Sequence, residues 1–287
     1  GRFQCSACKY LFSATAGTVM ENTKLPISTW LQAAYLMVTD KRGISAKQLQ
    51  RDLKIGRYET AWTVLQKLRA AMVNPDRTTL SGRVEVDETF VGGPVPGKRG
   101  RGTAGPEGKA IVLGAVEVRE RTSQKTGEIS TYPGRIRLRL VDDFGAATCL
   151  GFIKDVVEPG AVVVTDDYCS YDGLSEVGYI REILSAAKGQ TEDEVLPHFH
   201  LAASNLKTWL KGTFHGAVEQ KHLQGYLNEF TFRFNRRHNL FAAFQTMLGI
   251  AGNVEGPTRE ALYASRPGDV RLRKTTHREA AVGASFK

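Results

Sequence analysis

RVEVDETFVGG, residues 83–93, is the stretch that decides the fold class. It alternates toward Asp87 and Glu88 and stops at two glycines, the pattern of a strand whose end carries carboxylates. KAIVLGAVEV (109–118) and RIRLRLV (135–141) follow as two more strands, the second alternating arginine with apolar residues. DDFGAATCLGFIKDVV (142–157) reads as a turn and helix, and AVVVTDDYCSY (161–171) as a buried strand ending in Asp166 and Asp167. GYIREIL (178–184) is a further short strand. The order β-β-β-α-β-α-β-α predicts a mixed α/β sheet. Ligands of such sheets gather in the crevice outside the strand ends.

Carboxylates at the ends of two separated strands suit a divalent metal. Mg²⁺ takes hard oxygen ligands and uses one or two protein carboxylates, leaving positions for water and phosphate. Asp87 and Asp166 are the candidates. The competing reading is that strand-terminal Asp residues hold turns and cap helices; Asp142 and Asp143, just before a helix, are expected to be N-caps of that kind.

The 287-residue chain holds 39 Lys and Arg against 30 Asp and Glu, a net of +9 with a pI near 9.4. Residues 1–82 carry +7, residues 83–196 carry −5 and residues 197–287 carry +7. Basic ends suit a polyanion such as nucleic acid, and an acidic middle suits cation binding, although solvated surface would look the same. With 41% hydrophobic and 24% charged residues a packed core is expected, wholesale disorder is excluded, and the length suits two domains. No apolar run is long enough for a membrane span, and no charged leader precedes one, so neither a span nor a signal peptide is expected. Four Cys are too few for a disulfide scaffold, which points inside the cell.

The chain opens with GRFQCSACKYLF and no initiator Met, as a fragment would. Cys5 and Cys8 form a C-x-x-C that suits one tetrahedral zinc; with no second pair, it is expected to be half of a truncated zinc ribbon. After Pro26, ISTWLQAAYLMVTD has helical spacing, with Trp30, Ala34, Met37 and Val38 on one side. Ser45 with Gln48 fits a capping box opening a short helix that Gly56 ends. A second helix buries Ala61, Leu65, Leu68 and Met72. Two helices across a short turn match a helix-turn-helix, or else an ordinary hairpin. In the first reading Arg57, Tyr58 and Thr60 enter a DNA groove at the start of the second helix.

VEVDETFVGG (84–93), VVTDDYCSY (163–171) and SNLKTWLKGTFHGAVEQKHLQGYLNEFTFRFNRR (204–237) together resemble insertion-sequence transposases of the DDE superfamily. The group they look most like carries an N-terminal zinc ribbon, a helix-turn-helix and an Asp-Asp-Asn-Lys signature in place of Asp-Asp-Glu. The likeness covers about residues 3–250 and implies a ribonuclease-H-like core. The domains expected are 1–22 (partial ribbon), 23–80 (helix-turn-helix), 81–252 (catalytic) and 253–287 (basic polar tail). Position by position, the resemblance implies Asp87, Asp166 and Asn205 as ligands of Mg²⁺ or Mn²⁺, two ions in all, and Lys211 as the signature lysine. Zinc is implied only where the other ribbon half is present.

Asn brings a carbonyl ligand but neither charge nor base, so Glu88, Asp167 and His200 are candidates to compensate. Alternatively, Ser204 or Asn205 caps an LKTWLK helix. Lys211, six residues past Asn205, is better placed for phosphate than for metal, and Lys207 shares its face. Lys98, Arg99 and Arg101 sit in a Gly/Pro-rich loop placed to clasp a DNA backbone. In residues 222–237, Leu223, Leu227, Phe230 and Phe234 form a core stripe, with Arg233, Arg236 and Arg237 reaching toward phosphates.

The function expected is that of a bacterial insertion-sequence transposase, cutting and joining DNA as a homo-oligomer on double-stranded element ends and target, in the cytoplasm at the nucleoid. The alternatives are a helix-turn-helix regulator, an inactive transposase relic, and a structure-selective nuclease with the same core.

Overall fold

A computed structural model describes residues 2–74, 76–92, 109–184, 195–215 and 218–263. The loop containing Lys98, Arg99 and Arg101 and the tail beyond Tyr263 lie outside the described residues. The chain divides into two compact units, one formed by Arg77–Asn235 and the other by Gly1–Asp76 with Arg236–Lys287.

The first of these is built on a five-stranded mixed sheet. Strands β3 (Arg83–Val91), β4 (Ala110–Thr122) and β5 (Ile129–Val141) form an antiparallel meander, while β6 (Val162–Thr165) runs parallel to β3 and β7 (Ile180–Ile183) parallel to β6. Their spatial order is β5-β4-β3-β6-β7. Alternation along β3 sends Val84 and Val86 into one core, with Phe152 and Ile153 of helix α4 (Ala146–Val156) and with Tyr171. On the other face Val112, Val116 and Val164 meet helices α5 (Pro197–Phe214) and α6 (Gln220–Asn235) through Phe199, Leu206, Leu210, Leu223 and Leu227. Three layers result, as helices on both faces of a sheet require.

Two local expectations need correction. The helix expected after β6 is a 3-10 helix, Cys169–Val177, closed by Gly178 at φ +89°. The N-cap of α4 is Gly145 rather than Asp142 or Asp143. Asp143 instead steadies the turn, its Oδ1 accepting from the Gly145 N–H at 2.8 Å and the Thr148 hydroxyl at 2.9 Å.

Strand β5 is a sheet edge, and α6 occupies its exposed backbone groups. Asn235 Oδ1 accepts from the Ile136 N–H at 2.7 Å and its Nδ2 donates to the Ile136 carbonyl at 3.1 Å. Gln224 Oε1 accepts from the Leu140 N–H at 2.8 Å. The Leu223, Leu227, Phe230 and Phe234 stripe packs in the core as its spacing predicts.

The second unit holds a hairpin of β1 (Arg2–Gln4) and β2 (Leu11–Ser13) and helices α1 (Ile27–Thr39), α2 (Ala46–Asp52), α3 (Tyr58–Ala71), α7 (Leu240–Ala251) and α8 (Arg259–Tyr263). Trp30, Ala34, Met37 and Val38 of α1 are buried, as are Ala61, Leu65, Leu68 and Met72 on and just after α3. Ser45 caps α2, its hydroxyl accepting from the Gln48 N–H at 3.2 Å. Helix α7 packs on α1 and α3, with the Phe244 ring edge-on to Tyr35 at 5.5 Å. The compact sheet unit ends at Asn235.

Candidate active site

Strands β3 and β6 fix the first two acids. Their parallel register pairs Arg83 with Val162, Val84 with Val163 and Glu85 with Val164. Asp87 lies two residues past Glu85 in mid-β3, and Asp166 directly follows the last residue of β6, close enough for its charge to act on Asp87. His200 of α5 brings Nε2 to 3.8 Å from Asp87 Oδ2.

The electrostatics agree with that proximity. Burial, then the neighbouring Glu88 and Asp166 charges, hold the Asp87 pKa well above the ordinary carboxylate value, against a hydrogen bond from the Glu88 N–H at 2.8 Å. Burial and the Asp166 charge raise Glu88 as well. Burial raises the Tyr171 pKa, which keeps its hydroxyl protonated and able to donate to Glu88 Oε2 at 3.5 Å. Below it burial pushes the Cys149 thiol up to about 12, so this buried Cys is inert packing.

Two residues hold the frame around the acids. Arg181 of β7 donates to Thr165 Oγ1 at 3.2 Å, to the Asp166 carbonyl at 3.2 Å and to the Tyr168 carbonyl at 3.1 Å, tying down the turn after β6. Within that turn Asp166 Oδ1 accepts from the Tyr168 N–H at 3.1 Å. On β3, buried Glu85 joins His198 Nδ1 at 2.7 Å and accepts from the Phe199 N–H at 2.7 Å. The hydrogen bond that His198 donates to Glu85 raises the His198 pKa against the opposing effect of burial. Neither Glu85 nor Arg181 figures among the residues expected from the sequence. The available signal was a Glu inside an apolar strand, since buried charges need partners.

The remaining expected residues fall in different places. Ser204 and Asn205 lie inside α5, which starts at Pro197, so neither is a helix cap. Asn205, Lys207 and Lys211 are exposed. Lys207 and Lys211 follow His200 at i+7 and i+11, on the stripe that begins beside Asp87. Asn205 lies about 140° round the helix from His200, and the contact α5 makes with Asp87 runs through His200. The Arg233 side chain is 13% exposed, 3.5 Å from the fully buried Glu229 and over the Trp209 ring. Arg236 and Arg237 are half-buried. Arg57 and Tyr58 are exposed and Thr60 half-buried at the start of α3.

Among the described residues no group of three or more His, Cys, Asp and Glu is gathered to hold a metal. The donor set still fits a hard divalent cation, because Asp87, Glu88 and Asp166, close enough for their charges to act on one another, offer oxygen only, and such ions use few protein ligands. Cys5 and Cys8 sit in the turn between β1 and β2, where the N–H groups of Cys8 and Ala7 lower the Cys5 pKa and favour its thiolate. No helix among the described residues is long and apolar enough to cross a membrane.

Comparison with known proteins adds to this geometry. The ISXO2-like transposase domain matches residues 79–235. An uncharacterized protein in transposable element ISH50 of Halobacterium salinarum is 25% identical over 252 residues, covering 81% of this chain and 78% of that protein. Among solved structures, the Mos1 transposase paired-end complex with left transposon end overlaps at a TM-score of 0.26 and 14% identity, over 78% of this chain and 81% of that one. The Mos1 strand transfer complex overlaps at a TM-score of 0.26 and 15% identity, over 78% and 80%.

Proposed function

Because the chain belongs to the ISXO2-like transposase domain family, we propose that it binds the ends of an insertion sequence and catalyses metal-dependent DNA strand cleavage and strand transfer on a ribonuclease-H-like core. The observation that supports this reading is the cluster of Asp87, Glu88 and Asp166, whose charges act on one another beside His200.

Asp87 and Asp166 would hold the divalent cation; the signature implies the Asn205 amide as third donor, but Asn205 stands about 140° round α5 from His200, so His200 is the α5 side chain beside Asp87. When bound, Mg²⁺ or Mn²⁺ supplies positive charge at the scissile phosphate. Water opens one phosphodiester bond and leaves a 3′-OH; that hydroxyl then attacks a target phosphodiester and displaces its 3′-oxygen. Lys207 and Lys211, on the His200 stripe, neutralise phosphate beside the acids. Both steps transfer a phosphoryl group between oxygens, so no Ser or Tyr nucleophile is required.

The helical unit is the DNA grip in this reading. Helices α2 and α3 form the helix-turn-helix, and exposed Arg57 and Tyr58 with Thr60 meet the duplex at the start of α3. Cys5 and Cys8 would be two of the four ligands of a zinc site where the other half of the ribbon is present.

The test is Mg²⁺-dependent cleavage of duplexes carrying the inverted repeats that bracket the gene, by the wild type, Asp87→Ala and Asp166→Ala. Loss of about 10³-fold or more in both variants, with end binding retained, is expected from removing a group that acts on charge in the transition state. Cutting at the wild-type rate by either variant would sink the assignment.

A further inference from the structure

Helix α5 has no cap of its own. Leu196 precedes it and offers no side-chain hydrogen bond, so the first-turn N–H groups need partners from elsewhere. Glu85 supplies one. It is 4% exposed, on the same β3 face as Asp87 and two residues before it, and one of its oxygens takes the N–H of Phe199, the third residue of α5, at 2.7 Å. A carboxylate at the positive end of a helix is favourably placed. Its other oxygen meets His198 Nδ1 at 2.7 Å.

A second constraint acts on the same turn. Gly114 of β4 pairs with Asp87 in the sheet, and a Cβ at Gly114 would lie 2.6 Å from Phe199 Cε2 and 3.0 Å from Leu138 Cδ2. The Phe199 ring thus seats in a notch that only glycine leaves open. The next residue is His200, with Nε2 3.8 Å from Asp87 Oδ2. Two features that flank Asp87, one along its own strand and one across the sheet, converge on the turn that faces it.

We propose that Glu85 and Gly114 are positioning residues: they lock the first turn of α5 onto β3 and β4, so that His200 and the Lys207–Lys211 stripe stand at a fixed distance from the acids. This inference rests on the transposase reading for its link to catalysis, but the lock itself is separable from that reading. Displacing a reacting group by about 1 Å is worth roughly a hundredfold in rate.

The experiment uses the full chain and three variants, Glu85→Ala, Glu85→Gln and Gly114→Ala. Single-turnover cleavage of the element-end duplex is measured beside end affinity, thermal melting and hydrogen exchange at the Phe199 amide. Glu85→Ala and Gly114→Ala should slow the cleavage step by roughly ten- to a hundredfold at saturating DNA and leave end affinity within about twofold. Glu85→Gln can still accept from Phe199 and donate to His198, so its rate should return to within a few-fold of wild type. Exchange at Phe199 should be faster in Glu85→Ala and in Gly114→Ala, and near wild type in Glu85→Gln. Wild-type cleavage rates in both Glu85→Ala and Gly114→Ala overturn the proposal, as does a drop confined to DNA affinity. If Glu85→Ala does not fold, Gly114→Ala decides. If the wild type cuts no element-end DNA, the transposase reading falls, and the Phe199 exchange comparison alone upholds or overturns the lock.

Discussion

Glu117 shows how a single buried charge is made tolerable. It lies mid-β4 at 2% exposure, accepting from the Ser81 N–H at 3.1 Å and from the Arg135 side chain and backbone N–H. Burial would raise its pKa, but these bonds outweigh it and hold the value at about 2, below the ordinary 4.5. A folded-state pKa lowered in this way stabilises the protein above about pH 4.5, and the contribution is lost as pH falls through about 2. The contribution at neutral pH is about 3 kcal/mol. Glu117→Gln should therefore be clearly less stable than wild type at pH 7, and urea titrations should show the gap closing as pH drops from 5 toward 3. A gap that stays constant over that range would remove Glu117 from the acid sensitivity of the fold. At this scale the sequence was uneven. Asp87 and Asp166 stood out as acids beside apolar strand residues, although Asp87 lies in mid-β3 and not at its end, whereas Glu85 finds its partner 113 residues away, and one sequence carries no record of that pairing.

Elements were legible wherever their own residues set their limits. The change from period 2 to period 3.6 marked β3 through β7 and α4, and Ser45 marked the start of α2. The start of α5 was not legible, because its cap comes from β3 and not from a neighbouring Ser, Thr or Asp. That is why Ser204 and Asn205 looked like plausible caps until the helix was seen to begin at Pro197. The 3-10 helix after β6 was likewise hidden, since a tighter helix keeps nearly the same apolar spacing over two turns. Helix α6 offers a test at this level. Its Asn235 makes two hydrogen bonds to Ile136 on the edge strand, and removing both partners leaves backbone groups without replacements. Asn235→Ala should cost about 2 kcal/mol in chemical denaturation and speed amide exchange along β5. Unchanged stability and exchange would mean that the helix merely lies against the edge.

For the whole molecule, folding redistributes the charge that the linear sequence displayed as +7, −5 and +7. Both ends of the chain join one unit, which carries +11, while the sheet unit of Arg77–Asn235 carries −2. Residues 240–251 form α7, and nothing in their own sequence names α1 and α3 as its partners. The redistribution concentrates the polyanion-binding potential in the helical unit and leaves the acids in nearly neutral surroundings, where a cation rather than a surplus of basic side chains would balance them. Salt dependence separates arginines that serve DNA from those that serve the fold. Each phosphate neutralised contributes about 0.9 to the slope of log affinity against log salt. Arg57→Ala, at an exposed helix start, should weaken binding to element-end duplex and lower that slope by about one, with no change in melting. Arg233→Ala should do the opposite. Its guanidinium faces the fully buried Glu229 at 3.5 Å, so its loss takes a counter-charge from a buried carboxylate and should destabilise the protein by about 3 kcal/mol, leaving the slope unchanged. If Arg233→Ala flattens the salt dependence while the melting temperature holds, the side chain serves DNA and not the fold.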